Sequence, residues 1–489
     1  MLRKKYLYDL IKSLNVSEKR YLMAKGKKNA YSRMLDFISR IDPYSEDKLK
    51  EAFPEFSKSN KLDVKKHYLY YWILKRLSDY HAANYSNHEK ISHILILIDR
   101  SLITQANSLI PGIKSKIIQS EKYVDLLKLL EIELKIQKYN NEINSLKIME
   151  ELIYYSKKYA DLQTLESIKY NLRKILDTNM FSRSEPDKSK IDTLFKNPIV
   201  KRRPETKSFL MNYNYNLLYC WKNGSENNWK RAFDFAHKNF MLLNKNQNNI
   251  DVFPEIAVQI IYLFLNTASI THNPIYKEGI KKLQQIADAQ MSKRSRLDTM
   301  FTIHLSKMIH FNHNHKNIHD YSFIKDAETF IKNNKENFSP NRFNNFYFDL
   351  AKAYFYVNDY KKSLELLNYI YHNLYTKAHT IDFYTHSRLL FCLTCYEFEE
   401  YDLMITVVKS LTEFMKRNKS YHKFEKCIIK FILKELPTMR KQSNGAKVIK
   451  FQKLKFEINS IFKSQYERKV LVYFDYNFWI ENNIHLYKS

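Results

Sequence analysis

The sequence predicts an all-α fold, an array of antiparallel helical hairpins preceded by an N-terminal helical region. Apolar residues recur at helical spacing along most of the chain, while the alternation typical of strands is almost absent. Only 5 glycines and 10 prolines occur in 489 residues, so Gly-rich sheets and tight turns with positive φ are expected to be scarce. The 44% hydrophobic content, with 15% aromatic residues, is enough for a bulky core.

Residues 1–84 are expected to form several short helices. Ser17 is a candidate N-cap, and Asp42-Pro43 predicts a break between helices. The stretch KKHYLYYWILKRLSDY is strongly apolar and predicts a buried helix. Residues 85–176 are then predicted to form longer amphipathic helices in antiparallel pairs.

A polar break at residues 177–206 predicts a linker or a long loop, because three prolines and the triplet Lys201-Arg202-Arg203 interrupt the helical pattern. A partner-binding arm is the alternative for this segment. Residues 207–463 are predicted to form the helical repeat array, and residues 464–489 a helix that closes the core. Ser464 and Glu467 have capping-box spacing before that helix, although KVLVYF within it would also suit a strand.

The chain is expected to be soluble and cytoplasmic. Its basic amino end lacks the apolar core and cleavage site of a secretory signal, and the apolar runs fall well short of the roughly 20 residues that span a bilayer. Four cysteines provide no disulfide framework, which favours a reducing compartment. No membrane partner is therefore expected.

The formal net charge of +29 favours a polyanionic partner, since a basic surface gains affinity by displacing counterions from phosphates. The alternative is purely compositional, because Lys, Asn, Ile, Tyr and Phe are abundant together. Candidate nucleic-acid contacts are the triplet at 201–203 and the basic stretch near the carboxyl end. The residues are Lys201, Arg202, Arg203, Lys447, Lys450 and Lys453. The lysines of the second stretch are scattered around a helical wheel, which favours a solvated helix over a phosphate track.

One stretch, residues 344–373, has large and small residues in the order of a repeat. Tyr347 is followed by the pair Leu350-Ala351 and by Tyr354, and after an Asn-Asp turn come Tyr360, Ser363, Leu367 and Ile370. This pattern resembles the tetratricopeptide repeat (TPR), a helix-turn-helix unit of about 34 residues. The resemblance implies that small residues let the two helices approach, while aromatics fill the space between neighbouring hairpins.

Weaker copies of the pattern flank this unit. Tyr401 and Cys392 occupy the second-Tyr and small positions of a following copy, with Cys395 where the first Tyr would stand, but Met404 departs from the pattern. An earlier copy keeps only Trp229 and Ala232. We therefore expect irregular hairpins and an uneven superhelical curvature of the repeat array.

No motif predicts an enzyme, a cofactor or a metal site. Cys392 and Cys395 form a Cys-x-x-Cys without a second pair, so buried packing is the favoured interpretation. The His310, His313, His315 and His319 cluster is the best metal candidate, but it lies in an Asn-rich stretch with no cysteine nearby. The five glycines are too isolated for a phosphate-binding loop.

Two functions remain. In the first, a non-catalytic scaffold binds a protein or peptide on its concave face; in the second, the positive surface binds RNA or DNA. The TPR resemblance implies that the first helix of each hairpin lines the groove. The matching residues are Asn345, Phe348, Lys352 and Phe355, then His386, Leu389, Leu393 and Tyr396. The alternative is that Phe348 and Phe355 pack against the neighbouring hairpin.

Overall fold

The structure is a computed structural model that describes residues 6–26, 30–56, 61–80, 82–140, 145–178, 185–202, 207–245, 248–289, 293–373, 381–418 and 420–488. Within these ranges the chain is helical and contains no β-strand, so the prediction of an all-α fold is confirmed. The chain divides into two compact units. The first comprises residues 1–160 and 287–298, and the second comprises residues 161–286 and 299–489.

The first unit begins with short helices and continues with longer ones. Its helices are α1 Tyr6–Ser13, α2 Val16–Gly26, α3 Ala30–Arg40, α4 Glu46–Ala52, α5 Lys61–Tyr80, α6 Ala82–Asp99, α7 Ile103–Gln119, α8 Tyr123–Asn140 and α9 Ser145–Thr178, the last of which continues into the second unit. Leu7, Ile38, Leu49 and Leu69 belong to one core cluster that joins α1, α3, α4 and α5.

Two local expectations for the first unit need correction. The cap of α2 is Asn15, whose side chain accepts from the Glu18 N–H at 2.8 Å while the Glu18 carboxylate accepts from the Asn15 N–H at 2.8 Å. Ser17 therefore lies inside the helix, because this reciprocal capping box satisfies the helix end two residues earlier. The apolar helix α5 buries only one stripe: Tyr68 is 57% exposed and Tyr71 is 55% exposed.

The second unit is a succession of helices, two of which also include residues between 287 and 298 that belong to the first unit. They are α10 Glu185–Leu194, α11 Pro198–Lys201, α12 Phe209–Ser225, α13 Trp229–Asn244, α14 Asn248–Val252, α15 Pro254–Ile270, α16 Tyr276–Asp288, α17 Lys293–Asn314, α18 Ser322–Asn333, α19 Pro340–Tyr356, α20 Tyr360–Asn373, α21 Ile381–Glu397, α22 Tyr401–Arg417, α23 Lys423–Lys430, α24 Leu436–Met439, α25 Asn444–Ile461, α26 Gln465–Arg468 and α27 Tyr476–Leu486. Neighbours in sequence pack together, as in α12 with α13 and α19 with α20.

The structure of residues 177–206 and of residues 464–489 differs from the one predicted. The expected linker at 177–206 contains α10 and α11, because Ile191 and Val200 are buried and hold them in place. The expected closing helix is divided into α26, the 3₁₀ turn Lys469–Val472 and α27. Ser464 makes no side-chain cap, and the Glu467 carboxylate instead accepts from the backbone N–H groups of Lys423 and Phe424, each at 3.1 Å. Glu467 thus caps a distant helix, α23.

Several hairpins close with the same turn, in spite of the scarcity of glycine. Non-glycine residues adopt positive φ at the ends of α6, α7, α12, α15, α19 and α21, namely Ser101, Glu121, Asn227, His272, Asn358 and Glu399. At each turn the next N–H bonds a carbonyl five residues back, for example Asp359 to Tyr354 at 3.0 Å. This is the Schellman motif, so the expected scarcity of positive-φ turns was wrong. The bond satisfies the last helical carbonyls although the residue is not glycine.

Candidate functional site

The best-matching hairpin, α19–α20, packs through the small residues of the repeat pattern. Ala351 and Ser363 are both fully buried, and the Ser363 hydroxyl donates to the Ala351 carbonyl at 2.9 Å. The Tyr354 hydroxyl donates to Glu328 of α18, which Lys332 and Lys362 also contact. The small residues of the repeat pattern, Ala351 and Ser363, therefore lie where α19 and α20 pack together.

The groove residues of α19 are mostly inside the protein. Asn345 is exposed, whereas Phe348, Lys352 and Phe355 are buried. The Lys352 ammonium lies 2.5 Å from the Asp349 carboxylate and 4.9 Å from the centre of the Phe348 ring. Phe348 packs against Phe383 of the next hairpin at 5.2 Å between ring centroids, as the packing alternative expects.

The groove residues of α21 are all buried. Leu389 and Leu393 are fully buried, and so is His386. The His386 ring stacks on Tyr473 with centroids 4.4 Å apart, and its Nδ1 lies 2.9 Å from the Tyr476 hydroxyl. The Tyr396 hydroxyl lies 2.8 Å from that of Tyr487.

Residues 469–487, which we call the C-terminal segment, cover this face. Phe474 packs against Phe355 at 5.2 Å between centroids, and the Asp475 N–H donates to the Tyr356 hydroxyl at 3.1 Å. The Glu397 carboxylate accepts from Trp479 Nε1 at 2.6 Å and from Asn483 Nδ2 at 2.8 Å. Burial raises the pKa of Glu397, while these two hydrogen bonds act in the opposite direction.

The predicted groove is therefore occupied by the chain itself. We call its seven buried residues the filled face: Phe348, Lys352, Phe355, His386, Leu389, Leu393 and Tyr396. Tyr476, Trp479 and Ile480 of α27 are at most 1% exposed, and burying each such side chain contributes roughly 1.5–3 kcal/mol. The C-terminal segment is thus part of the unit's core. Asn345 is the one predicted groove residue that solvent reaches freely.

A cavity of about 380 Å³ lies beside the filled face. Its lining includes Asn312, His315, Lys352, Tyr356 and Asp475. The His315 ring stacks on Tyr356 with centroids 4.0 Å apart, and its Nδ1 lies 3.2 Å from the Asn312 carbonyl. Burial lowers the pKa of His315, so its ring favours the neutral form.

The histidine cluster is dispersed among different neighbours. His310 stacks on Tyr276 with centroids 3.8 Å apart, and His319 is exposed. Burial lowers the pKa of His310 to about 4 and that of His313 to about 3. Among the described residues, no group of three His, Cys, Asp or Glu side chains is placed to hold a metal ion.

The cysteine pair lies in the interior. Cys392 is fully buried and its Sγ lies 3.9 Å from the Met404 carbonyl, at the crossing of α21 and α22. Burial raises the pKa of Cys392 well above its ordinary value and that of Cys395 to about 12. Both thiols stay protonated at neutral pH, which suits packing and disfavours redox or metal chemistry.

Some of the predicted nucleic-acid contacts are exposed side chains, and others contact neighbouring residues of the chain. Lys201 and Arg202 are exposed at the end of α11, whereas Arg203 lies outside the described residues. Lys447 Nζ lies 4.6 Å from the centre of the Tyr487 ring, and Lys450 contacts Glu435 at 2.9 Å. Lys453 is exposed. The two engaged lysines therefore have intramolecular roles.

A second basic feature was not predicted. Lys423, Lys426, Lys430 and Lys434 are all exposed and follow one another at intervals of three, four and four residues. We call these four residues the lysine row. Their spacing is visible in the sequence HKFEKCIIKFILKEL, so a search for charged residues at helical intervals would have found them.

No protein-family model matches the chain, and no curated protein matches it. No helix in the described ranges is long and apolar enough to cross a bilayer.

Proposed function

We propose that the protein is a non-catalytic, cytoplasmic scaffold of TPR-like helical hairpins that binds a protein or peptide partner. The observation that carries this proposal is the way the hairpins α19–α22 hold α27. A helix with aromatic anchors lies against their first helices and is fixed by hydrogen bonds from Trp479 and Asn483 to Glu397. Recognition of a helix by a helical groove uses the same elements, anchors at helical spacing with a few oriented polar contacts.

The partner surface of this scaffold lies outside the filled face. A ligand directed at Phe355 or His386 would have to replace the buried contacts of Phe474, Tyr473 and Tyr476. Exposed positions, such as Asn345 of α19, are available without any such replacement.

Affinity capture from native lysate, with and without nuclease, tests the scaffold function. The expected result is a protein partner that remains bound after nuclease treatment and in high salt. Salt screens interactions between charges but does not weaken contacts between apolar groups. Recovery of nucleic acid alone, identified by sequencing, would contradict the scaffold proposal. An Asn345→Arg variant should capture less of the partner, because it places a long charged side chain at an exposed position of α19.

A second candidate function is nucleic-acid binding. The formal net charge of +29 and the exposure of the lysine row favour it. Binding through phosphates weakens steeply as salt concentration rises, so the salt dependence of capture separates the two functions.

A further inference from the structure

The lysine row follows one side of the helical stretch that runs from α23 through the π-helical turn Phe431–Glu435. Eleven residues separate its first and last lysine, which at the rise of an α-helix is about 16 Å. Of the two carboxylates in this stretch, Glu425 is fully buried and Glu435 contacts Lys450 at 2.9 Å. The hydrogen bond from Lys450 lowers the pKa of Glu435, and the charges of Lys453 and Lys430 lower it further, so four lysines share one partly exposed carboxylate. The row is therefore a linear array of positive charge.

Helix α25 runs antiparallel beside this stretch. Cys427 Sγ lies 3.6 Å from Glu457 near the end of α25, while Glu435 meets Lys450 near its beginning. The inner sides of both helices pack on α27. The ring centroids of Phe424 and Tyr476 are 4.7 Å apart, and those of Phe451 and Trp479 are 5.4 Å apart. Because the inner sides share one partner, the outer sides of the two helices face solvent together.

The outer side of α25 carries unusually exposed apolar side chains. Ile449 is 66% exposed and Phe456 is 78% exposed. They are seven residues apart, two helical turns, and the exposed Lys453 lies between them in sequence. Phe456 contributes almost nothing to the core, so its ring face is open to a planar ligand.

We propose that this outer surface, formed by the lysine row with Lys453 and Phe456, binds a single strand of nucleic acid. The inference rests on the second of the two proposed functions and names the surface that would perform it. Lysines in a row pair with successive phosphates, and an exposed aromatic ring stacks with a base; together they form a binding track that tolerates many sequences.

A peptide fits this surface less well. A helical peptide needs a groove that buries its anchors, whereas the lysine row and Phe456 stand on the outer sides of two helices. The cavity of about 380 Å³ in this unit is lined by other residues. A single strand of nucleic acid needs only positive charges for its phosphates and an exposed ring for one of its bases.

Fluorescence anisotropy with a labelled oligo-uridine of about 20 nucleotides tests the proposal, titrated between roughly 50 and 200 mM salt. Lys→Gln replacement of the whole lysine row should reduce the slope of log affinity against log salt by about 3, since each phosphate contact in a single strand contributes about 0.7. Phe456→Ala should weaken binding by roughly 5- to 150-fold and leave that slope unchanged.

The matched control removes the same charge from exposed lysines on other helices of the unit, by Lys→Gln at Lys230, Lys281, Lys325 and Lys361. Its slope should equal that of the wild type, and circular dichroism should show equal helicity for all variants. If the slope of log affinity against log salt falls by the same amount in both quadruple variants, this surface is refuted, although nucleic-acid binding itself is not.

Absence of binding by the wild type would overturn both the surface and the second function, and would leave the scaffold function untouched. Retention on vesicles with anionic headgroups, without binding to the oligonucleotide, would assign the surface to a membrane and overturn the proposal.

Discussion

The filled face and the lysine row are both built from helical residues at intervals of three and four, yet one is interior and the other is surface. On α19 and α21 the repeated positions are mainly aromatic or aliphatic, and the C-terminal segment supplies Tyr473, Phe474 and Trp479 to cover them. On α23 and the π-helical turn that follows it, the repeated positions are lysines, which keep their ammonium groups in water. Spacing establishes which residues share a side of a helix, but the covering segment decides whether that side is a site.

The largest expected difference between the two regions concerns their aromatic residues. Trp479→Ala should lower the free energy of unfolding by about 3–5 kcal/mol, because it removes a buried ring and one hydrogen bond to Glu397. Phe456→Ala, in the exposed surface, should change it by no more than about 0.5 kcal/mol. Urea unfolding followed by circular dichroism measures both, and equal losses would show that the C-terminal segment is not part of the core.

The same contrast applies to lysines. Lys352→Ala should destabilise the protein by about 3 kcal/mol, since it removes the ammonium 2.5 Å from the largely buried Asp349 carboxylate and leaves that carboxylate with the neutral Asn312 amide at 3.3 Å. Lys430→Ala in the lysine row should stay within about 0.5 kcal/mol of the wild type. Indistinguishable unfolding midpoints for the two variants would refute the burial of the Lys352 pair.

A pH titration tests the burial of one basic group, His304, near the core of the unit that contains the filled face. His304 stacks on Phe330 with centroids 4.7 Å apart, and burial lowers its pKa from 6.5 to about 4. The unfolded chain therefore binds more protons between these values, so stability should fall as the pH drops from 6.5 towards 4. His304→Gln should make Tm depend less on pH between 6.5 and 4, and an unchanged dependence would contradict the burial of this ring.

The smallest expected effect concerns the turn that joins α21 and α22. Glu399 has a φ of 62°, which strains a residue with a side chain. Glu399→Gly should raise the free energy of unfolding by up to about 1 kcal/mol, reduced by the greater freedom of glycine in the unfolded chain. Lys409→Gly, within α22, should lower it by about 1 kcal/mol. A loss in both variants would contradict the strained turn.

Much of the local structure was predictable, whereas individual helix ends were not. Helical periodicity and the scarcity of glycine predicted the all-α fold, and Asp42-Pro43 lies between α3 and α4 as expected. The cap at Ser17 was wrong because Asn15, two residues earlier, forms a capping box with Glu18. Glu467 has the right spacing for a local box but is used by α23, since two free N–H groups of a distant helix reach it.

The sequence by itself determined that the chain is helical, that Ala351 and Ser363 lie at a helix crossing position, and that charge is strongly positive. These properties depend on residue type and on intervals of a few residues, which are local. Only the tertiary structure decided that residues 469–487 lie on the face of α19 and α21, because contacts such as Tyr356 with Asp475 join positions 119 residues apart. The same packing leaves the lysine row and Phe456 in solvent, since α27 takes up the inner sides of α23 and α25 and leaves their outer sides uncovered.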